Sequence, residues 1–319
     1  MFDLTALFFV AVLLIALAVD HYMGEPPARV HPVVWMGNYL NWAAKRLRPN
    51  PSPAARDLKS FSLAAAFWFA GAALVLVAAC AVQWVAFQLP WVLAVLLLGL
   101  ALKPMLAWAM LRSEVQAVEI ALGQSLDAGR QRLAMLVSRD TANLTESEVR
   151  ESAMESLAEN LNDSVVAPIF WFVLFGLPGA ALYRFGNTAD AMWGYRGLRH
   201  GVNWEWAGKW AARADDVLSW VPARITALLL KLGSSGVDFK TLSIEARKTP
   251  SPNSGWPMAA MALALGVRLQ KPGVYVLNHS GRAPEPKDAV LAQKKALKVV
   301  AAACLWAQAA ILLIAFYKS

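Results

Sequence analysis

The chain has 319 residues, of which 58% are hydrophobic and only 16% are charged. Soluble domains usually carry about 25% charged residues, so this composition excludes an ordinary soluble protein and indicates a lipid environment. The net charge of +8 does not indicate a nucleic-acid partner, because the sequence has no basic stripe interleaved with aromatic residues. Both cysteines fall inside apolar segments, so neither a disulfide framework nor a zinc site is expected.

The apolar segments predict an all-α, polytopic integral membrane protein, a helical bundle with about four or five membrane helices. Residues 61–102 contain no Asp, Glu, Lys, Arg or His. As one helix they would be ~60 Å long, twice the ~30 Å of membrane hydrocarbon, so we expect this run to turn and cross twice. The predicted spans are residues 2–19, 61–82, 91–108, 165–185 and 296–317.

The fourth predicted span is broken by a Gly-Leu-Pro-Gly sequence at residues 176–179. If it crossed the membrane fully, the basic region 184–295 would be exported, against the positive-inside rule. We therefore predict a re-entrant or buried helical hairpin there. The whole chain is then one membrane domain of the cell inner membrane, with its active site facing the cytoplasm. The polar regions on that side are residues 20–60, 109–164 and 186–295.

A first polar cluster follows the first span and contains Asp20, Glu25 and His31, on a segment stiffened by prolines. Two carboxylates and an imidazole at the end of a span suit metal binding or proton transfer. The alternative is an ordinary solvated span end with turn residues.

A second cluster is an acidic stripe. Glu151, Glu155, Glu159 and Asp163 recur every four residues, so they share one face of a predicted helix. Like charges at this spacing destabilise a helix by ~0.2–0.5 kcal/mol per pair, so we expect a cationic partner. Arg139 lies just upstream. The stripe suits oxygen ligation of magnesium, and the alternative is a solvated helix face.

A third cluster contains Asp190 and Arg196, followed by Arg213, Asp215 and Asp216. The two adjacent aspartates immediately precede an apolar stretch that we expect to dip into the membrane. Ionisable groups in such a place are costly and are normally paired or functional. The alternative is a purely structural ion pair.

A fourth cluster combines Arg224, inside that apolar stretch, with Lys248, Ser251, Asn253 and Ser254 before the next apolar helix. We expect Arg224 to meet a carboxylate or a substrate phosphate. Backbone N–H groups at a helix N-terminus attract anions, so the serines and Asn253 predict a phosphate site. An ordinary N-cap explains a single Ser or Asn but not the whole cluster.

Taken in order, these clusters resemble the adenosylcobinamide-phosphate synthase family of cobalamin (vitamin B12) biosynthesis, also called CobD/CbiB. The resemblance covers about residues 1–275, and the family commonly has Asp where this chain has Glu25. The motifs that carry it are Asp20 with Gly24-Glu25-Pro26, His31-Pro32-Val33, Ser138-Arg139-Asp140-Thr141, Glu155 with Glu159-Asn160, Asp163-Ser164, Pro178-Gly179-Ala180, Tyr183, Asn187-Thr188, Asp190, Arg213, Asp215-Asp216, Pro222-Ala223-Arg224 and Ser251-Pro252-Asn253-Ser254-Gly255.

The resemblance implies an amide ligase that uses ATP and Mg²⁺ to join adenosylcobyric acid to (R)-1-amino-2-propanol O-2-phosphate, an aminopropanol phosphate. It also implies membrane lipid, cobalamin synthase and other nucleotide-loop assembly enzymes as partners. On the basis of this resemblance we expect the following roles. Catalytic candidates are His31, Glu155, Glu159, Asp190 and Asp216. Phosphate or substrate ligands are Arg139, Arg196, Arg213, Arg224, Lys248, Ser251, Asn253 and Ser254. Metal ligands are Asp20, Glu25, Glu159, Asp163, Asp215 and Asp216.

Three other classes of protein are alternatives. A regulatory or sensory membrane protein of the same superfamily would keep the spans but lose the polar clusters, all of which are present here. A transporter is suggested by broken helices and intramembrane charges, but the sequence shows no inverted repeat. A membrane prenyl- or phosphotransferase would carry two aspartate-rich metal-binding motifs, which this sequence lacks. The common nucleotide, redox, hydrolase and zinc motifs are also absent.

Overall fold

The protein is described by a computed structural model that covers residues 4–47, 49, 56–199, 201–232 and 238–318. The predicted first span begins at residue 2, so its first two residues lie outside this description. In chain order the α-helices are α1 Leu4–Met23, α2 Pro32–Ala44, α3 Leu58–Phe87, α4 Trp91–Leu102, α5 Trp108–Leu122, α6 Leu126–Ala134, α7 Glu146–Leu161, α8 Ala167–Trp193, α9 Trp204–Ala207, α10 Lys209–Leu218, α11 Trp220–Leu232, α12 Phe239–Ala246, α13 Gly255–Leu265 and α14 Pro286–Lys318.

Strands are confined to two short antiparallel hairpins in the described residues. Strands β1 (Leu198–Arg199) and β2 (Val202–Asn203) form the first, and β3 (Leu269–Lys271) and β4 (Tyr275–Leu277) form the second. Helix α7 runs into α8 through a π-helical segment, Asn162–Val166. The chain is therefore all-α, as predicted.

Five helical stretches are long and apolar enough to cross a membrane. They are Thr5–Met23, Leu58–Phe87, Trp91–Leu122, Glu146–Trp193 and Pro286–Tyr317. Their number and order confirm the prediction of a polytopic membrane protein. The turn after the second stretch falls at Gln88–Pro90, within the gap between the predicted spans 61–82 and 91–108, because α3 continues to Phe87.

The chain divides into two compact units. The first contains residues 1–106, 167–218 and 307–319, and the second contains residues 107–166 and 219–306. In the first unit α1 packs against α4, and α3 packs against α4 and α8. In the second unit α7 is the central helix and is packed by α5, α6, α13 and β3, so that its residues from Val149 to Ala158 are all buried.

Helix α8 is a helical hairpin. Gly176 has φ 66° and ψ −153°, a conformation that ends the first arm and that only glycine adopts readily. A Cβ on Gly179 would overlap the carbonyl oxygen of Trp171. Residues eight apart in an uninterrupted helix are separated by ~12 Å along the axis, so this contact requires the chain to fold back. The chain thus folds back at Gly176, whereas the re-entrant membrane path predicted for residues 165–185 stays a prediction.

Gln83 of α3 completes the reversal. Its side-chain oxygen Oε1 accepts a hydrogen bond of 2.9 Å from the backbone N–H of Leu177, the first residue after Gly176. This N–H begins the second arm and has no partner within its own helix. The glutamine therefore acts as a cap supplied from another helix.

The start of α7 also follows its sequence signal. The Thr145 hydroxyl accepts the backbone N–H of Glu148 at 3.3 Å, and the Glu148 carboxylate accepts the N–H of Thr145 at 2.8 Å. This reciprocal capping box fixes the first turn of the helix that carries the acidic stripe.

Replacing Gln83 with Leu should lower the stability of the protein, because the Leu177 N–H is then buried without a partner, at a cost of ~1–3 kcal/mol. Thermal unfolding in detergent measures the loss. Gln88→Leu is the matched control, since the Gln88 side chain reaches only the Trp84 carbonyl, at 3.5 Å on an exposed surface. Equal melting temperatures for the two variants would contradict the capping role.

Candidate functional site

The first predicted cluster forms a buried charge network in the first unit. Lys103 Nζ lies 2.9 Å from Glu25 Oε2 and 3.5 Å from Asp20 Oδ1, and the Lys103 and Asp20 side chains are only 3% and 1% exposed. His31 Nδ1 accepts the backbone N–H of Val33 at 3.2 Å, so its proton is on Nε2, which donates to Glu25 Oε2 at 2.9 Å. Both ring nitrogens of His31 are therefore occupied, and Lys103 is the counter-ion of the two carboxylates.

Lys103 is a functional candidate that the sequence analysis missed. It directly follows the uncharged run at residues 61–102, where a single buried ammonium group is costly unless it is paired. Its position next to this run could have identified Lys103 as a paired or functional residue. The sequence did not show the partners, because Asp20 and Glu25 precede Lys103 by about eighty residues.

The third cluster lies on α8 and α10, which pack side by side in the first unit. Asn187 Nδ2 donates to Asp215 Oδ1 at 3.3 Å. Burial raises the pKa of Asp216, and the positive charge of Arg196 partly opposes this rise. Asp190 is half-buried at the end of α8, whereas Arg213 is exposed on α10. The structure thus brings the predicted carboxylates of this cluster onto two adjacent helices.

The acidic stripe of α7 has the cationic partners that its spacing called for. Arg139 Nη2 lies 2.7 Å from Glu155 Oε2, and Arg268 Nη2 lies 3.3 Å from Glu151 Oε1. Both carboxylates are almost fully buried, at 3% and 0% exposure. Tyr275 stands beside Glu155, and its pKa is raised by burial and by the negative charge of that carboxylate.

Arg268 and Tyr275 were not anticipated. Both belong to the segment around the β3–β4 hairpin, and β3 packs on α7. Arg268 is 117 residues from Glu151 in sequence, so no local pattern indicates the pairing. The only sequence signal was the acidic stripe itself, whose negative charges need cationic partners from elsewhere in the chain.

The end of α7 brings polar side chains to the π-helical segment. Buried Thr226 Oγ1 donates to Asn162 Oδ1 at 3.1 Å, and Asn162 Nδ2 donates to Asp163 Oδ1 at 2.7 Å. Glu159 is half-buried one turn earlier. Single π-helical turns often occur at functional sites. This bonding connects α11 to the carboxylate end of the stripe.

Arg224 of α11 is held entirely by neutral groups. It donates to the carbonyl oxygen of Trp220 at 2.8 Å, to Asn253 Oδ1 at 2.6 Å and to the carbonyl oxygen of Pro252 at 3.0 Å. Its guanidinium carbon lies 4.5 Å from the centre of the Trp220 ring and 4.9 Å from that of Trp256. Burial lowers the pKa of Arg224. Within the described residues it forms no ion pair with a carboxylate.

A cavity of about 610 Å³ opens beside Arg224 and both tryptophans. Arg247 and Ser251 also line it, and Arg247 is exposed there. The cavity therefore combines two guanidinium groups with aromatic walls, a composition that suits an anionic, partly planar ligand.

Several groups of the fourth cluster are engaged by neighbouring residues. Ser251 Oγ accepts the backbone N–H groups of Asn253 and Ser254, both at 3.2 Å, so these two donors at the start of α13 are engaged. Lys248 is bound to Glu245 at 2.7 Å. The two cationic side chains that line the cavity are Arg224 and Arg247, and the role predicted for Lys248 stays a prediction.

The predicted residues fall in both units. The first unit holds Asp20, Glu25, His31, Asp190, Arg196, Arg213, Asp215 and Asp216. The second unit holds Arg139, Glu155, Glu159, Asp163, Arg224, Lys248, Ser251, Asn253 and Ser254. Each unit therefore contains carboxylates together with cationic side chains.

The predicted magnesium ligands can be judged by their neighbours. Among the residues that the structure describes, no three His, Cys, Asp or Glu side chains are grouped to hold a metal ion by themselves. Asp20 and Glu25 already face an ammonium group. Magnesium is commonly bound by one or two carboxylates together with substrate phosphates. Glu159 with Asp163, and Asp215 with Asp216, fit that mode, in which the nucleotide brings the other ligands.

These features define an all-helical, polytopic membrane protein with buried charge networks and an arginine, Arg224, whose hydrogen-bond partners are all neutral. The chain belongs to the family described as CobD/Cbib protein, whose model matches residues 13–303. No solved structure matches the chain.

Curated relatives cover most of the chain. A probable cobalamin biosynthesis protein CobD of Methanothermobacter thermautotrophicus is 41% identical over 84% of this chain and 86% of its own length. A protein of the same name from Thermococcus kodakarensis is 40% identical over 90% and 89%. The cobalamin biosynthesis protein CobD of Rhodobacter capsulatus is 37% identical over 91% and 92%. Together these matches support a role in cobalamin biosynthesis.

Replacing Lys103 with Met should destabilise the first unit strongly, because two buried carboxylates lose their counter-ion, and breaking a buried pair costs ~3–5 kcal/mol. The melting temperature in detergent reports this loss. Lys287→Met is the matched control, since Lys287 pairs with Glu285 on an exposed surface. A Lys103→Met protein as stable as the control would show that the network carries no stability.

Asp216→Asn should preserve or raise stability at neutral pH. Burial favours the protonated carboxyl in the folded protein, so the charge costs stability above the raised pKa, and this cost disappears as the pH falls below the unfolded value of ~3.9. The difference in melting temperature between variant and native protein should therefore be largest near pH 7 and vanish near pH 3. A variant that is less stable at pH 7 would contradict a destabilising charge at Asp216.

Proposed function

We propose that the protein catalyses the ATP-dependent ligation of adenosylcobyric acid with (R)-1-amino-2-propanol O-2-phosphate to give adenosylcobinamide phosphate. Membership of the CobD/Cbib family supports the pathway. The observation that carries the reaction is Arg224, a guanidinium group held by neutral partners at a cavity of about 610 Å³. A substrate with a phosphate group supplies the anion that this arginine lacks.

The chemistry requires activation of a carboxylate, which is a poor acyl donor. An oxygen of the free propionate group of adenosylcobyric acid attacks the γ-phosphorus of ATP, so that ADP leaves and an acyl phosphate forms. The amine then attacks the acyl carbon, the amide bond forms and inorganic phosphate departs. The amine nitrogen loses protons to a base during this step.

Arg224 suits the phosphate of the amino alcohol. A guanidinium fork binds two phosphate oxygens at once, and such charge-assisted hydrogen bonds are about twice as strong as neutral ones. The two flanking tryptophans exclude water from one side of the group and limit its motion. Arg247 adds a second positive charge at the same cavity.

The proton is expected to go to a carboxylate near this cavity. Thr226 lies two residues beyond Arg224 on α11 and is bonded to Asn162, which is bonded to Asp163. These hydrogen bonds join Asp163, with Glu159 one turn away, to the helix that carries Arg224, so we assign the proton to one of these two carboxylates. Both ring nitrogens of His31 are engaged, so a positioning role fits that residue better than a basic one.

Magnesium bound with the nucleotide would neutralise the triphosphate and stabilise the charge that develops during phosphoryl transfer. Glu159 and Asp163 are the residues of the second unit that suit this ion, as oxygen ligands beside substrate phosphates. Glu155 is less suited, because Arg139 already neutralises it. Arg139 instead holds the buried Glu155 carboxylate in place.

The direct test uses the full-length protein, purified in detergent and supplied with ATP, magnesium, adenosylcobyric acid and the amino alcohol phosphate. Mass spectrometry should detect adenosylcobinamide phosphate, with one ADP released per amide formed. Reactions that lack ATP, or that contain the unphosphorylated amino alcohol, are the controls. No amide product with either amine would overturn the ligase assignment.

Arg224→Lys should raise the KM for the amino alcohol phosphate by roughly 10- to 100-fold, ~1.4–2.8 kcal/mol, because the charge remains but the fork is lost. Arg46→Lys is the matched control. Arg46 also lies over a tryptophan ring, at 3.7 Å, and donates to the carbonyl oxygen four residues earlier, but on an exposed surface. A rise in the KM for ATP instead would assign Arg224 to the nucleotide, and no change in either KM would remove it from the site.

A further inference from the structure

An apolar cavity of about 270 Å³ lies within the first unit, among α2, α3, the end of α4 and the hairpin of α8. Trp35, Met36 and Tyr39 line it from α2, and Leu74 and Ala78 line it from α3. None of the site residues predicted from the sequence borders it. The charge network around Lys103 and the cavity beside Arg224 thus leave this space unexplained.

Water is a poor occupant for this space. A buried water needs two to four polar partners, and apolar cavities of comparable size stay dry and take up apolar molecules. The one hydroxyl among its lining side chains, that of Tyr39, already donates to the Phe67 carbonyl oxygen at 2.8 Å. The cavity is therefore suited to an apolar guest.

The cavity is continuous with the outer surface of α3. Leu74 is 61% exposed and Ala78 is exposed, although both lie well inside a 30-residue helix that is apolar enough to span a membrane. Lipid is the medium that meets such a surface. At the inner end, Met36 and Met105 are only 7% and 2% exposed, so a guest that reaches them has entered between the helices.

We propose that this cavity is a binding site for one acyl chain of a membrane lipid, which enters beside Leu74 and Ala78 and ends against Met36 and Met105. The site is independent of the ligase reaction, since it contains no charged side chain and no predicted catalytic residue. Its occupant is selected by shape and by the absence of polar groups.

The test reconstitutes the full chain into nanodiscs of phosphatidylethanolamine and phosphatidylglycerol that contain a trace of phosphatidylcholine with a diazirine on its acyl chain. After illumination, peptide mass spectrometry locates the labelled residues. Label on Met36 and Met105 is expected. Label confined to lipid-facing positions such as Leu93 of α4, which is 53% exposed, would overturn the proposal.

A matched pair of variants separates the cavity from the general lipid surface. Ala78→Trp fills the cavity and should remove the label from Met36 and Met105, while Ala73→Trp, on an exposed position of the same helix outside the cavity, should leave it unchanged. Ala101→Phe fills the space from α4 and serves if the first variant does not fold. Unchanged labelling in the filled variants would contradict the site. Loss of label on adding adenosylcobyric acid to the native protein would assign the cavity to the corrinoid instead.

Discussion

A charge that leaves water must meet an opposite charge or a full set of hydrogen-bond partners, and this requirement organises both units of the protein. In the first unit, Lys103 closes the network that begins at the end of α1. In the second, Arg139 and Arg268 neutralise two buried carboxylates on α7. The pairings of Lys103 with Asp20 and of Arg268 with Glu151 join segments that are distant in sequence, so the same contacts that make the charges tolerable also hold the fold together.

Arg224 departs from this pattern. Its partners are an amide oxygen, two carbonyl oxygens and two aromatic rings, all of which orient the guanidinium group without neutralising it. A fold that compensates its other buried charges but leaves this one beside a cavity keeps an attraction available for a ligand. Arg139 and Arg224 are therefore equally visible in the sequence but differ in role, because one is bound to Glu155 and the other is open to an anion.

Much of the fold could be predicted from local patterns. The uncharged run at residues 61–102, the capping box at Thr145 and the glycines around Pro178 each act over a few residues, and the structure has the corresponding turn, helix start and hairpin. The acidic stripe required a cation, and the cations are present. Their identity could not be predicted, because Arg268 reaches Glu151 only through the packing of β3 on α7.

The reversal at Gly176 also bears on how the polypeptide is threaded through the bilayer. All five apolar stretches are long enough to cross the membrane, whereas in the predicted re-entrant path the hairpin enters and leaves on one side and adds no net passage. The two paths differ by one crossing, so the N-terminal end of α1 and the C-terminal end of α14 share a side of the bilayer in the re-entrant path and lie on opposite sides in the other. A single glycine, kept in its unusual conformation with help from Gln83, thus lies at the point where the two topologies diverge.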